Sequence, residues 1–268
     1  DGIRRKDGWV LSTKVGRLLG PRRTPQAATD LWASPLPFEP RFDYGYDGTM
    51  RSYEDSLQRL GVDHIDILYI HDIDDFTHGP DLQPKMHRAA MEGTYKALDA
   101  LRRSGDIKAI GIGVNDADVC EFFAREADLD CVMLAGRYSL LEQPALDRFL
   151  PLAIERRIGV MLGGVFNSGI LATGAITGAR YDYRPAPPDV LRRVASIDRV
   201  CAAHGVALAH AALSFVLGHP AVSSVVLGAV SPDEVRRNAG AFPRPVPAAL
   251  WRDLRAERLL RDDAPTPA

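Results

Sequence analysis

Two side chains stand where short apolar runs meet polar sequence: Lys14, after Trp9-Val-Leu-Ser-Thr, and His71, after Ile65-Asp-Ile-Leu-Tyr-Ile. If these runs are parallel neighbours in an α/β barrel, both side chains emerge at the carboxyl ends of the strands, where barrel enzymes gather their reacting groups. An ammonium beside an imidazole suits proton-coupled carbonyl chemistry. The cation favours a deprotonated neighbour, and the imidazole donates to an oxygen that gathers negative charge. Two other chemistries draw on the same residues. A lysine buried in such a place can act as a Schiff-base nucleophile. The run His71-Asp-Ile-Asp-Asp-Phe-Thr-His78 offers two histidines and three carboxylates for a zinc ion, but without a recognised ligand spacing, so no metal site is predicted.

A second chemical signal lies in Ser223-Ser-Val-Val-Leu-Gly-Ala-Val-Ser-Pro-Asp-Glu-Val-Arg-Arg-Asn238. Ser231 suits a helix N-cap, Pro232 the first helical position, and Glu234 completes a Ser-x-x-Glu capping box. A strand is expected to end at Gly228 and a helix to begin three residues later. Free amides at that helix start favour an anion, and Gly228 lets a phosphate approach the backbone. The plainer reading is a well-capped helix.

Positioning such groups takes a regular scaffold, and the apolar periodicity supplies one. Strands are expected at Trp9–Thr13, Ile65–Ile70, Ala109–Val114, Cys131–Leu134, Val160–Leu162 and Val222–Leu227. Between them run helices with Met50, Tyr53, Leu57 and Leu60 on one face up to Gly61; with Met91, Thr94, Tyr95, Leu98 and Leu101 up to Gly105; with Val119, Phe122 and Phe123; and with Leu146, Leu150 and Ile154. Two more helices, about 189–204 and 207–217, precede the last strand. A long loop spans Gly20 to Gly48, of a length that is usually functional or disordered. Six strands alternating with amphipathic helices predict a parallel sheet with helical crossovers in one domain over residues 1–268. A closed eight-stranded barrel needs two more strands, which would precede Asp1.

Composition narrows the partners. The 268 residues are 46% hydrophobic and 25% charged, enough for one sizeable core, and 33 basic against 35 acidic residues give no basic excess for nucleic acid or an anionic membrane. No apolar run reaches the roughly 18–20 residues of a membrane span. Cys120, Cys131 and Cys201 lack metal or redox spacing and read as buried thiols of a reducing, cytoplasmic protein.

Several words of the sequence resemble the aldo-keto reductases, in the branch of L-fucose and D-threo-aldose 1-dehydrogenases and pyridoxal 4-dehydrogenase. They are Leu-Ser-Thr-Lys-Val-Gly-Arg17, Asp55-Ser-Leu-Gln-Arg-Leu-Gly61, Asp66-Ile-Leu-Tyr-Ile-His-Asp72, Thr77-His-Gly79, Ile110-Gly-Ile-Gly-Val-Asn115, Gly136-Arg-Tyr-Ser-Leu-Leu141, Phe166-Asn-Ser-Gly-Ile-Leu171 and the Ser231–Asn238 segment, in family order. The resemblance implies a (β/α)8 barrel of which strands three to eight are present. It also implies hydride transfer between nicotinamide and the anomeric carbon of an aldose, or the hemiacetal carbon of pyridoxal, giving a lactone. Lys14 matches the family's lysine and His71 its substrate-orienting histidine. The family's proton-passing tyrosine and its aspartate have no match here, so Tyr44, Tyr46, Tyr138 and Tyr181 receive no catalytic role. The alternative is an inactive cofactor-binding or regulatory protein.

For the cofactor, the resemblance places Asn115 at the carboxamide, and Phe166, Asn167, Ser168, Gly169 and Leu171 over the pyrophosphate. Gly228, Ser231, Glu234 and Asn238 fall at the adenosine end, and Ala135 stands where many relatives have glutamine. Val230 is neutral and Asp233 and Glu234 oppose a 2′-phosphate, so NAD is expected over NADP, with Arg236 and Arg237 as the opposing charges. Arg17 is expected to face water and His78 to shape a substrate loop.

Overall fold

The structure, a computed structural model, describes residues 9–22, 36–241 and 245–267. They group into two compact units, one up to Gly113 and the other from Val114 onward.

The first unit runs β1 (Ser12–Val15), β2 (Arg17–Pro21), β3 (Phe38–Phe42), α1 (Tyr46–Leu60), β4 (Ile67–His71), α2 (Asp75–His78), α3 (Gln83–Ala89), a π-helical turn at Ala90–Thr94, α4 (Tyr95–Ser104) and β5 (Ala109–Val114). β1 pairs with β4 and β4 with β5, both in parallel, with Lys14 opposite Tyr69 and His71 opposite Gly113. Register partners point to one face and faces alternate along a strand, so Lys14, Tyr69, His71, Gly111 and Gly113 share a face. Leu68, Ile70, Ile110 and Ile112 occupy the other and are fully buried. β5 has the bounds that periodicity predicts. The first two strands begin later than expected and run on, so that Lys14 lies inside β1 and His71 is the last residue of β4.

Both glycine stops hold: Gly61 and Gly105 adopt left-handed conformations, φ 64° and 85°, that glycine takes without a Cβ clash. Of the expected face of α1 only Tyr53 is buried; Met50 and Leu57 are half-buried. The buried residues of the helix are Gly48, Thr49, Ser52, Tyr53 and Ser56, while Leu60 is exposed. Short polar side chains let the helix lie close to its neighbours, because each hydroxyl finds a local acceptor: Thr49 donates to the Gly45 carbonyl (2.8 Å), Ser56 to that of Ser52 (2.8 Å) and Ser52 to that of Arg17 (3.3 Å). The expected loop also needs correction. Its two ends form an antiparallel hairpin, β2 on β3, with Leu19 opposite Pro40 and Pro21 opposite Phe38. Prolines tolerated on edge strands hid it from the pattern. The stretch between, 23–35, lies outside the described residues, as do 1–8.

The second unit contains α5 (Ala117–Glu126), β6 (Cys131–Ala135), α6 (Phe149–Arg156), β7 (Gly159–Gly163), α7 (Ile170–Thr173), the two-residue strands β8 (Arg180–Tyr181) and β9 (Arg184–Pro185), α8 (Pro188–Ala203), α9 (Leu208–Leu217), β10 (Val222–Val225), α10 (Pro232–Ala241) and α11 (Ala248–Ala256). β6, β7 and β10 pair in parallel. The described residues thus include the six parallel strands that the alternation predicts. Asp116 caps α5, its carboxylate accepting from the amides of Asp118 (2.8 Å) and Val119 (3.2 Å). Phe122 and Ile154, expected inside, are exposed, and Leu146 sits in a separate 3₁₀ turn before α6. The last strand stops at Val225 rather than Leu227, although the Val226 amide still donates to Leu162 (2.8 Å). α11, which the periodicity did not single out, buries Leu250, Trp251 and Leu254. The three cysteines are buried thiols. Among the described residues no single helix is long and apolar enough to cross a membrane.

Candidate active site

In the first unit, β1 and β4 bring Lys14 and His71 to the same face. The Lys14 stem lies over Gly113, where an added Cβ would stand 3.5 Å from Cε and 3.6 Å from the Tyr69 Cβ. His71 is a neutral imidazole at pH 7: burial first, then the positive charges of Arg17 and Lys14, push it down to about 3. Its Nε2 lies 3.3 Å from Asp72 Oδ2. Asp72 itself turns the chain, with φ 45°, and its carboxylate forms an ion pair with Arg17. Burial, aided by the nearby Asp74, still lifts the Asp72 carboxyl above the usual range against the pull of Arg17.

Arg17 therefore does not simply face water. Its guanidinium also lies 5.0 Å from the centroid of the Phe42 ring, its register partner across the hairpin. Behind this corner is Tyr44, 3% exposed. Its hydroxyl lies 2.8 Å from the His71 carbonyl, 3.0 Å from that of Asp72 and 2.9 Å from His78 Nε2. His78 closes the cluster with its ring edge on Phe42, 4.6 Å between centroids. The sequence pattern missed Tyr44, Asp72 and the engagement of Arg17. A lone aromatic in a turn carries no period; the one available signal was the polar crowding around His71. Among the described residues no cluster of three or more histidine, cysteine or carboxylate groups is able to hold a metal ion.

In the second unit, Asn115 follows β5 and opens on a cleft lined by Ala135, Gly136, Arg137, Gly164, Asn167, Ser168, Asp182 and Tyr183. Gly136 and Gly164 are left-handed, φ 71° and 59°, and a Cβ on Gly164 would sit 3.2 Å from the Gly136 nitrogen. A bare backbone wall results. The loop after β7 then takes three left-handed residues in succession: Asn167 (φ 44°), Ser168 (59°) and Gly169 (94°). Asn167 is 3% exposed, and its amide is used within the protein, accepting from Ser139 Oγ (2.5 Å) and donating to the Gly136 carbonyl (3.3 Å). Ser168 is exposed, and its Oγ accepts from the Tyr183 amide (3.0 Å) in the β8–β9 turn. That turn is tied again by Arg137 to Asp182 (3.2 Å) and by Tyr181 to Glu142 (3.0 Å). Phe166 is half-buried and the Leu171 side chain lies in the core, leaving its backbone as the part nearest the loop.

The capping box forms in altered register. Ser231 Oγ accepts from the Glu234 amide (3.2 Å), but the Glu234 carboxylate reaches the Val230 amide (2.8 Å), one residue earlier than the pattern expects. Gly228 is exposed, and an added Cβ would meet nothing within 4 Å. Asn238 Nδ2 lies 3.5 Å from the Gly228 carbonyl. Arg236 and Arg237 are both engaged by acids of their own helix, Asp233 at 2.6 Å and Glu234 at 3.9 Å. Val230 is 92% exposed.

A family model described as the aldo/keto reductase family matches residues 3–256. A pyridoxal 4-dehydrogenase of Microbacterium luteolum is 42% identical over 260 residues, covering 94% of this chain and 76% of the relative. A D-threo-aldose 1-dehydrogenase of a Pseudomonas species is 39% identical over 267 residues, covering 98% and 77%. Among solved structures, the holo form of an aldo-keto reductase from Bacillus halodurans aligns with a TM-score of 0.66 at 22% identity, covering 94% of this chain and 73% of that one. The α/β fold is therefore that of this structural class.

Proposed function

The chain belongs to the aldo/keto reductase family, and from that premise we propose that it oxidises the anomeric carbon of an L-fucose-like aldose, or the hemiacetal carbon of pyridoxal, to a lactone with NAD. Bound nicotinamide supplies the hydride acceptor. The carbon–hydrogen bond would give its electron pair as hydride to that nicotinamide, the hydroxyl proton would pass to solvent water, and a carbon–oxygen double bond would form. His71 contributes a hydrogen bond from a neutral imidazole to the substrate oxygen, and the geometry that carries this reading is its place at the end of β4 on the face shared with Lys14. Lys14 supplies the positive charge beside which a hydroxyl loses its proton.

The residues of the second unit fit a dinucleotide. The bare wall at Gly136 and Gly164 admits a flat group next to Asn115, the natural partner for a carboxamide. The Phe166–Leu171 backbone, with Asn167, Ser168 and Gly169, would cover the pyrophosphate. Gly228, Ser231, Glu234 and Asn238 would hold the adenosine end. Support for NAD over NADP comes from the exposed, neutral Val230 and from arginines already matched to Asp233 and Glu234.

The test is a calorimetric titration of the purified chain with NAD and NADP, followed by turnover with L-fucose and pyridoxal. Tighter binding of NAD with turnover of either substrate is expected. Equal efficiency with NADP overturns the cofactor preference, and absence of turnover in a chain that binds NAD overturns the dehydrogenase reading.

A further inference from the structure

The turn that presents His71 is held in a costly conformation by groups from two distant segments. Asp72 has φ 45°, a region that a non-glycine residue occupies at a cost on the order of 1 kcal/mol or more. One tie is the Asp72 amide, which donates to the Gly113 carbonyl (3.0 Å). The others converge on Tyr44, whose hydroxyl reaches the carbonyls of both His71 and Asp72.

Tyr44 is itself seated with little tolerance. An added Cβ on Gly16, which has φ 102°, would stand 2.6 Å from the ring carbon Cε1. One on Gly93 would collide with the Tyr44 carbonyl oxygen. That oxygen accepts from the Thr94 amide (3.0 Å) and from Thr94 Oγ1 (2.8 Å). Gly93 and Thr94 lie in the π-helical turn, and such turns recur at functional sites. A phenol has one proton and two lone pairs. When His78 Nε2 carries its proton it donates to the Tyr44 oxygen, and the phenol proton goes to the two carbonyls. When Nε2 lacks it, the phenol proton turns to His78 and the carbonyls lose their donor.

We propose that Tyr44 is a positioning residue for His71: its buried hydroxyl, shared with His78, clamps the His71–Asp72 turn and so fixes the direction of the His71 imidazole. The inference concerns the geometry of His71; its catalytic meaning rests on the reading of His71 given above. The experiment is nitrogen NMR of the full chain labelled with 15N-histidine, comparing wild type with Tyr44→Phe. Wild type is expected to show the neutral His71 ring in one tautomer. In a folded Tyr44→Phe chain the His71 signals move toward the average of exchanging tautomers, while those of His64 and His204 stay in place. Unmoved His71 signals overturn the proposal. If Tyr44→Phe does not fold, His78→Leu decides, since it removes the competing ring nitrogen and leaves the phenol proton to the two carbonyls: His71 signals kept in one tautomer support the clamp and averaged ones overturn it. With turnover measurable, Tyr44→Phe lowers kcat roughly 10- to 100-fold with KM within about threefold. If Tyr44→Phe shows the tautomer change while the wild-type chain shows no turnover, the dehydrogenase reading sinks and the clamp stands.

Discussion

The His71 corner and the Phe166–Leu171 loop both hold non-glycine residues in left-handed conformations, yet they do so by opposite means. At the corner, strain at Asp72 is restrained by side chains from elsewhere: the Tyr44 hydroxyl and the Arg17 guanidinium. In the loop, strain at Asn167 and Ser168 is restrained mainly by the loop's own amides, such as Asn167 to the Gly164 carbonyl (2.8 Å) and Leu171 to that of Phe166 (3.1 Å). The one buried polar side chain there, Asn167, is turned inward. A region that offers side chains to a substrate takes its support from outside; a region that offers backbone takes most of its support from its own amides. Substitutions at the first should register in catalysis, and at the second in stability.

The largest effect that separates the two is kinetic. In the active enzyme, His71→Ala or Lys14→Met lowers kcat at least about 100-fold while NAD affinity measured by calorimetry stays nearly unchanged. Unchanged turnover would remove both residues from the mechanism. On the loop side, Asn167→Ala removes the acceptor of the Ser139 hydroxyl proton and leaves a non-glycine residue in a left-handed turn. It should cost roughly 2 kcal/mol in urea unfolding, and a loss below about 0.5 kcal/mol would break the contrast.

The third prediction is a pH dependence. The unfolded chain protonates His71 near its ordinary 6.5, whereas the folded chain resists until about 3. Protonation therefore favours unfolding: this contribution is complete above about pH 6.5 and erodes as pH falls toward 3. Melting curves should drop by roughly 5 °C or more between pH 7 and pH 4, and His71→Gln should flatten that slope. Equal slopes would mean that other groups govern acid lability. The smallest effect is Ser231→Ala, which removes the cap of α10 and should cost about 1 kcal/mol.

Much of this was readable in the residues. Strand β5 keeps its expected bounds because Ala109–Val114 is a continuous apolar run, and Gly61 and Gly105 end their helices because only glycine takes those angles cheaply. Lys14 and His71 were legible as polar residues closing apolar strands. The inner face of α1 was not, since Thr49, Ser52 and Ser56 are polar by type and buried only because their hydroxyls bond to nearby acceptors. Nor was the use of Asn167: an asparagine in a glycine-containing loop reads as a ligand contact, and only its pairing with Ser139, 28 positions away, shows that its amide is occupied.

Gly113 offers a way to adjust the site without altering a reacting group. Its missing side chain leaves the methylenes of Lys14 without a wall on that side, and an alanine there would touch them at 3.5 Å, an ordinary contact. A lysine stem carries about 2 kcal/mol of rotamer entropy, so one added methyl would narrow the range of positions over which the ammonium wanders. The strand's smallest residue thereby sets how sharply the chain's charge is localised.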